Sequence, residues 1–336
     1  MRHAMSPAHP RTGALFCLAS AAGFGAMGVF GKLAYRHGAT VGTLLTVRFV
    51  LAAAVLWLLL LLTRRSALRT LRGLPRRDVG LALGLGALGY SAQAGAYFAA
   101  LDRLDASLLA LLLYTFPIIV TVAAIALGRE AFSSRTATAL ALSCGGLLLV
   151  LAGAAAGALD PLGTALGLIA AVVYSAYILV SEGVTRRVEP LLLSTLVCTG
   201  AAITLTVTGA IGGWLKLGAV SAEGYGWIAA IALVSTVAAV GLFFAGLARV
   251  GPSSAAILST FEPVVTVTLA FVVFGESFSP AQLIGGALVL AAVILVRAAR
   301  APRLALGDAA GGGPVQRAAA RAADHRPLAV VEDRAL

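Results

Sequence analysis

Glu262 and Pro263 stand side by side near the middle of an apolar run, and this dipeptide is the sharpest chemical feature of the chain. A carboxylate at that depth in hydrocarbon is costly and marks function by default. It can carry a proton or hold a substrate amine, or it can brace the backbone that Pro263 opens. Pro117 occupies the matching place in an earlier run. Each proline removes one backbone hydrogen bond and crowds the carbonyl four residues back, Leu113 or Ser259, so both helices should kink. The freed groups survive in lipid only where a neighbour or a water-lined cavity satisfies them.

Arg48 lies about seven residues inside its run. Its guanidinium can clamp a carboxylate or other anionic group, or its stem can lie along lipid while the head reaches the interface. Lys32 sits nearer the end of the first run and reads as a snorkelling interfacial residue before it reads as a ligand. Gln93 and the tyrosines Tyr90, Tyr97, Tyr114, Tyr174 and Tyr177 are polar groups in segments of Leu, Ala and Gly. They can line a path, or serve as interhelical hydrogen bonds and interface anchors. Glu130 and Glu276 close two of the runs and read as solvated interfacial acids, while Trp214 and Trp227 flank a loop as belt residues. Spacings such as Gly23, Met27 and Gly31 let helix backbones approach closely.

Other chemistries lack their residues. Cys17, Cys144 and Cys198 lie singly in apolar runs, and His3, His9, His37 and His325 fall in tails or a loop, so neither a disulfide framework nor a metal site is expected. No Ser–His pair, paired Asp or HExxH gathers at one membrane depth, and no Walker A sequence is present. A channel would show a filter-like loop or a ring of charge. A membrane-embedded enzyme, or a channel without transport coupling, is therefore the alternative reading, and no cofactor is expected.

The elements that must position these residues follow from composition. Of 336 residues, 60% are hydrophobic and only 12% charged, with mean hydropathy +0.97, far from a soluble domain. A spanning helix needs about 20 apolar residues. Ten runs approach that length, at residues 12–34, 41–62, 79–100, 105–127, 136–156, 161–181, 191–213, 226–247, 252–274 and 280–296. The first run is too long for a signal-peptide core and reads as an uncleaved helix. Lys and Arg in short loops stay cytoplasmic. With the N-terminus inside, 20 of the 25 basic residues fall on inner segments, while Arg36, Arg103 and Lys216 fall outside and Lys32 and Arg48 within runs. Both termini are thus expected in the cytoplasm, in a cell (inner) membrane. The net charge of +11 marks loops and does not imply a nucleic-acid partner. From residue 298 the chain turns to Arg, Ala, Gly and Pro and reads as a disordered basic tail.

Laying residues 97–133 on 243–279 at an offset of 146 gives 12 identities in 37 positions, among them Pro117 with Pro263 and Glu130 with Glu276. The chain is two copies of one unit, residues 12–156 and 161–297. With five helices per copy, the second copy enters the membrane from the opposite side. Inverted repeats of this kind characterise secondary transporters, with a site near the midplane at their interface.

The stretches YFAALDRLDASLLALLLYTFPIIVTVAAIALGRE and FFAGLARVGPSSAAILSTFEPVVTVTLAFVVFGESFSPAQLIGGALVL resemble the EamA repeat of the drug/metabolite transporter superfamily. The specific elements are Glu262 to Val264, Gly275 with Glu276, Gln282, and Gly285 with Gly286. The first copy departs from the pattern, with Phe116 in place of Glu262, so the halves should not be chemically equivalent. The resemblance implies an all-α, ten-helix carrier with inverted repeats that moves small metabolites, often amino acids or related solutes and often outward. Its partners would be a small-molecule substrate and membrane lipid, with a homodimer left open.

Overall fold

A computed structural model of the chain describes residues 10–63, 71–128, 132–155, 160–185 and 187–310. Helices account for nearly all of them, and no strand occurs among the described residues. The first half contains α1 (Pro10–Arg36), α2 (Val41–Thr63), α3 (Arg76–Gly84), α4 (Ser91–Leu101), α5 (Ala106–Leu113), α6 (Phe116–Ala126) and α7 (Ser134–Ala155). The second contains α8 (Pro161–Thr185), α9 (Pro190–Ile211), α10 (Ala222–Ala232), α11 (Ala239–Leu258), α12 (Phe261–Phe274) and α13 (Pro280–Ala310). A π-helical turn joins α3 to α4 at Leu85–Tyr90, and another joins α10 to α11 at Leu233–Ala238. At the offset of 146 the irregularity recurs in the second copy two residues further along.

Among the described residues, seven helices are long and apolar enough to cross a bilayer: Arg11–Arg36, Val41–Thr63, Ala106–Ala126, Thr136–Gly153, Pro161–Ser181, Pro190–Ile211 and Ala222–Leu247. Phe261–Phe274 and Pro280–Leu295 are shorter apolar helices. The run expected at 79–100 is helical but falls outside the seven, because glycines, Tyr90 and Gln93 dilute it. Two boundaries differ from the sequence reading. No residue leaves the helix between Leu247 and Pro252, since α11 continues to Leu258; proline's fixed φ is itself helical, and its penalty falls on the preceding turn. The last helix runs on to Ala310, past residue 298 where the tail was expected to lose order. Ala, Leu and Arg are strong helix formers. Residues 311–336 lie outside the described residues.

Packing interlocks the two copies. α1 lies against α10, α11 and α12 of the second copy, and its counterpart α8 lies against the first π-turn and α4, α5 and α6 of the first. Counterparts α2 and α9 pack on one another, as do α7 and α13. Two bundles result: α1 with α10–α12, and α8 with α3–α6. Lipid offers no hydrophobic drive for such contacts, so they depend on close approach of small residues. At the α7–α13 crossing, a Cβ on Gly146 would come 2.6 Å from the Gly285 carbonyl, and one on Gly285 would come 2.5 Å from the Gly146 carbonyl. Across α9, a Cβ on Gly86 would meet the Val197 carbonyl at 1.9 Å, and one on Gly200 the Leu83 carbonyl at 2.1 Å. Gly80 and Gly84 on the same rod have open space.

Gly86→Leu and Gly200→Leu should therefore abolish the monodisperse peak in detergent size-exclusion chromatography, while Gly84→Leu leaves it intact. A normal elution profile for Gly200→Leu would contradict this packing.

Candidate functional site

Arg48 lies on α2 and is only 1% exposed. Its Nε donates to Thr236 Oγ1 at 3.2 Å, and its Nη2 donates to the Tyr90 hydroxyl at 3.3 Å. Thr236 belongs to the second π-turn and Tyr90 ends the first, so one guanidinium ties together the same irregularity in both copies. Each π-turn is closed by a hydroxyl reaching five residues back, Ser91 Oγ to the Gly86 carbonyl at 2.9 Å and Thr236 Oγ1 to the Ile231 carbonyl at 3.1 Å. Such turns recur at functional sites. Beside Thr236, the hydroxyl of Ser235 is buried without a hydrogen-bond partner among the described residues. Phe49, Phe98 and Tyr90 place their ring centroids 4.9, 5.4 and 6.0 Å from the guanidinium, within cation–π range. Arg48 therefore does not snorkel: its head is held inside the protein by neutral groups.

The two prolines sit just inside new helices. The chain leaves the helix at Tyr114–Thr115 before Phe116, and at Ser259–Thr260 before Phe261. In an unbroken helix the Ser259 carbonyl would accept from residue 263, which as proline has no N–H. It accepts instead from the Glu262 amide at 3.2 Å and from the Tyr114 hydroxyl at 2.9 Å. The same hydroxyl lies 3.1 Å from Glu262 Oε2. Tyr114 of the first copy thus meets both the carbonyl that Pro263 orphans and the carboxylate beside it.

An unbroken run of rings connects these two centres. Phe49 meets Tyr90 edge-on at 4.9 Å, and Tyr90 lies 6.0 Å from Tyr177 and Tyr177 6.4 Å from Tyr174. Tyr174 then meets Phe116 at 4.6 Å, and Phe116 meets Tyr114 at 5.9 Å. Helical spacing of three and four puts Tyr90, Gln93 and Tyr97 on one face, and Gln93 and Tyr97 are buried. Tyr97 feels the charges of both Arg48 and Glu262. A cation and a carboxylate thus sit within electrostatic range of one tyrosine, joined by an aromatic wall. A groove of about 440 Å³ lined by Leu33, His37, Glu223 and Trp227 includes none of these residues.

Glu276 is not the solvated acid that its place at a helix end implied. Gly275, with φ of 68 degrees, takes the left-handed conformation that ends α12 and turns Glu276 towards α5. The carboxylate, 7% exposed, accepts from the amides of Ala106 and Ser107 at 3.1 and 3.2 Å and from the Ser107 hydroxyl. A carboxylate is at its most favourable at a helix N-terminus. Lys32 completes the cluster, 3.3 Å from Glu276 and 3.4 Å from Asp105. Lys32 is therefore an ion-paired tie between bundles, not a snorkelling residue. Gly-Glu following an apolar helix was the signal available in the sequence, but its capping partner is 169 residues away. Glu130, the counterpart of Glu276, lies outside the described residues. Nearby, Asp160 caps α8 through the Gly163 amide at 2.7 Å and pairs with Arg103; these contacts hold its carboxyl below the usual range.

The EamA-like transporter family model matches residues 11–152 and again 161–298. The chain belongs to that family, and is a multi-pass membrane transporter. It is 26% identical over 279 residues to the uncharacterized transporter YcbK of Bacillus subtilis, covering 81% of this chain and 88% of the relative. It is 29% identical over 227 residues to an uncharacterized transporter of Archaeoglobus fulgidus, covering 65% of this chain and 78% of that one. One crystal structure shares the fold at a TM-score of 0.59 and 21% identity, over 88% of this chain and 99% of its own.

Glu276→Ala is expected to cost about 2–4 kcal/mol of stability, since it leaves two helix-end amides and the Ser107 hydroxyl without their acceptor and Lys32 with only the exposed Asp105. Asp105→Ala, at a side chain 68% exposed, should cost under about 1 kcal/mol. Thermal unfolding in detergent checks this, and equal melting temperatures for the two variants would contradict the cap.

Proposed function

We propose that the chain is a secondary transporter of ten spans, built from inverted five-helix repeats at residues 12–156 and 161–297. It carries a small amino-acid-like metabolite across the cytoplasmic membrane by alternating access, with both termini inside. The observation that carries this reading is the placement of Arg48 and Glu262, charges of opposite sign from different copies, at the two ends of one aromatic wall, Arg48 against Phe49 and Glu262 against Tyr114. Arg48 meets the substrate carboxylate with the donors left beyond Thr236 and Tyr90, for a guanidinium has five N–H groups. Glu262 meets the amine or carries the coupling proton. The reciprocal packing of α1 and α8 supports repeats that rock against each other about that site.

Among the described residues, the bonds between bundles include those of Tyr114 with Ser259 and Glu262, Tyr35 with the Phe98 carbonyl, Lys32 with Asp105, and Glu276 with Ala106 and Ser107. In the charge-based topology, the Lys32 end is the outer one. A carrier tied there loads from the cytoplasm, which suits export. Arg187 pairs with Asp78 at 3.5 Å, and both fall at the inner end in the same topology.

Proteoliposomes offered amino acids, nucleosides and cationic drugs, with and without a pH gradient, test the reading. One coupled proton gives about tenfold accumulation per pH unit. Glu262→Gln should still exchange substrate yet hold its accumulation ratio near one, and Arg48→Lys should slow transport about tenfold because the planar fork is lost. Full pH-driven accumulation by Glu262→Gln would overturn the coupling role. Reporters after Ala298 and at Gly218 should read inside and outside, respectively.

A further inference from the structure

We propose that Tyr114 is the positioning residue that converts the charge of Glu262 into a change of bend at Pro263. The inference rests on Glu262 being the proton carrier of the reading above. Its basis is a count of protons. Tyr114 has one hydroxyl proton, and two acceptors among the described contacts compete for it, the Ser259 carbonyl at 2.9 Å and Glu262 Oε2 at 3.1 Å. A hydroxyl donates once, so the two contacts are both satisfied only when Glu262 is protonated: its O–H donates to the Tyr114 oxygen, and Tyr114 donates to Ser259.

When Glu262 gives its proton to water, the carboxylate is the stronger acceptor, because a charge-assisted hydrogen bond outweighs a neutral one. The Tyr114 proton then turns from Ser259 to Oε2. No bond to carbon or oxygen changes in Tyr114; one proton leaves Glu262 and one hydrogen bond moves. Among the described residues the Ser259 carbonyl then keeps only the amide of Glu262, and in hydrocarbon a carbonyl short of donors draws in water or reshapes its turn. The break between α11 and α12 therefore differs between the two charge states. Tyr114 belongs to the other bundle, so the altered bend also alters the tie between bundles.

The surroundings fit a site whose charge is read locally. Tyr90 and Tyr97 of the first copy lie within electrostatic range of Glu262, and Arg48 acts on the same two tyrosines from α2. From α1, Gly25 packs on the Glu262 carbonyl, where a Cβ would come within 2.7 Å. Thr266 Oγ1 bonds both the Gly25 and Glu262 carbonyls, at 2.8 and 3.2 Å, and anchors the far side of the break. The first copy has Leu113, Phe116 and Pro117 where the second has Ser259, Glu262 and Pro263. The device is thus one-sided.

The test compares Tyr114→Phe, Pro263→Ala and the double variant with wild type and Glu262→Gln, in proteoliposomes loaded with the substrate that the panel identifies. Both single variants should exchange substrate within about threefold of wild type, while accumulation falls from about tenfold per pH unit to under about twofold. Pro263→Ala returns an amide to the Ser259 carbonyl, so the double variant should be no worse than either single one. Wild-type accumulation by Tyr114→Phe, with Glu262→Gln uncoupled, would overturn this inference and leave the proposed function standing. Wild-type accumulation by Glu262→Gln would overturn both. Additive losses in the double variant would also overturn it, reducing Tyr114 to packing. Should Tyr114→Phe fail to fold, Pro263→Ala decides alone: normal accumulation there refutes the linkage.

Discussion

The carbonyl of Ser259 has lost the helical donor four residues on. Proline at 263 removes that amide, lipid provides no water in its place, and the local chain offers only the Glu262 amide at 3.2 Å. The second and shorter bond comes from a tyrosine of the other copy of the repeat, 145 residues away in the chain. From that requirement follow the contact between bundles, the nearness of Tyr114 to Glu262, and the aromatic wall that leads on through Phe116, Tyr174 and Tyr177 to Tyr90 and Arg48. A helix break that would be a defect in an isolated span holds the halves together.

Duplication supplies the frame, and divergence supplies the chemistry. Both copies keep the proline and a π-turn closed by a hydroxyl, although Ser91 and Thr236 stand at different positions of the repeat. Only the second copy has an acid before its proline, and only the first contributes Arg48 from its second helix. The buried arginine is stabilised by hydroxyls and rings and has no carboxylate within ion-pair distance among the described residues. A buried charge of this kind costs several kcal/mol unless something offsets it, and an anionic substrate group would do so.

Much of this was legible in the residues. Hydropathy marked the helical runs, and the internal repeat paired Pro117 with Pro263 and set Glu262 apart from Phe116. What was not legible depended on distance in sequence. Nothing local to Lys32 or Glu276 says that they meet, because the capped helix begins at Ala106 and the pairing exists only after the copies interlock. The π-turns were also hidden, since Leu85–Tyr90 and Leu233–Ala238 carry no proline and read as ordinary helix. Their hydroxyls, Ser91 and Thr236, bond five residues back, a pattern that residue type alone does not disclose.

The proposed alternating access requires the two bundles to part at the end held by Lys32, Asp105 and Glu276. A reversible bridge tests it most directly. Lys32→Cys and Asp105→Cys are introduced together with Cys17, Cys144 and Cys198 replaced by Ala, and joined by a short, reducible thiol-specific cross-linker. Substrate flux is measured on the same proteoliposomes before bridging, after bridging and after reduction. The account predicts flux that stops on bridging and returns on reduction. Undiminished flux through the bridged protein would contradict it.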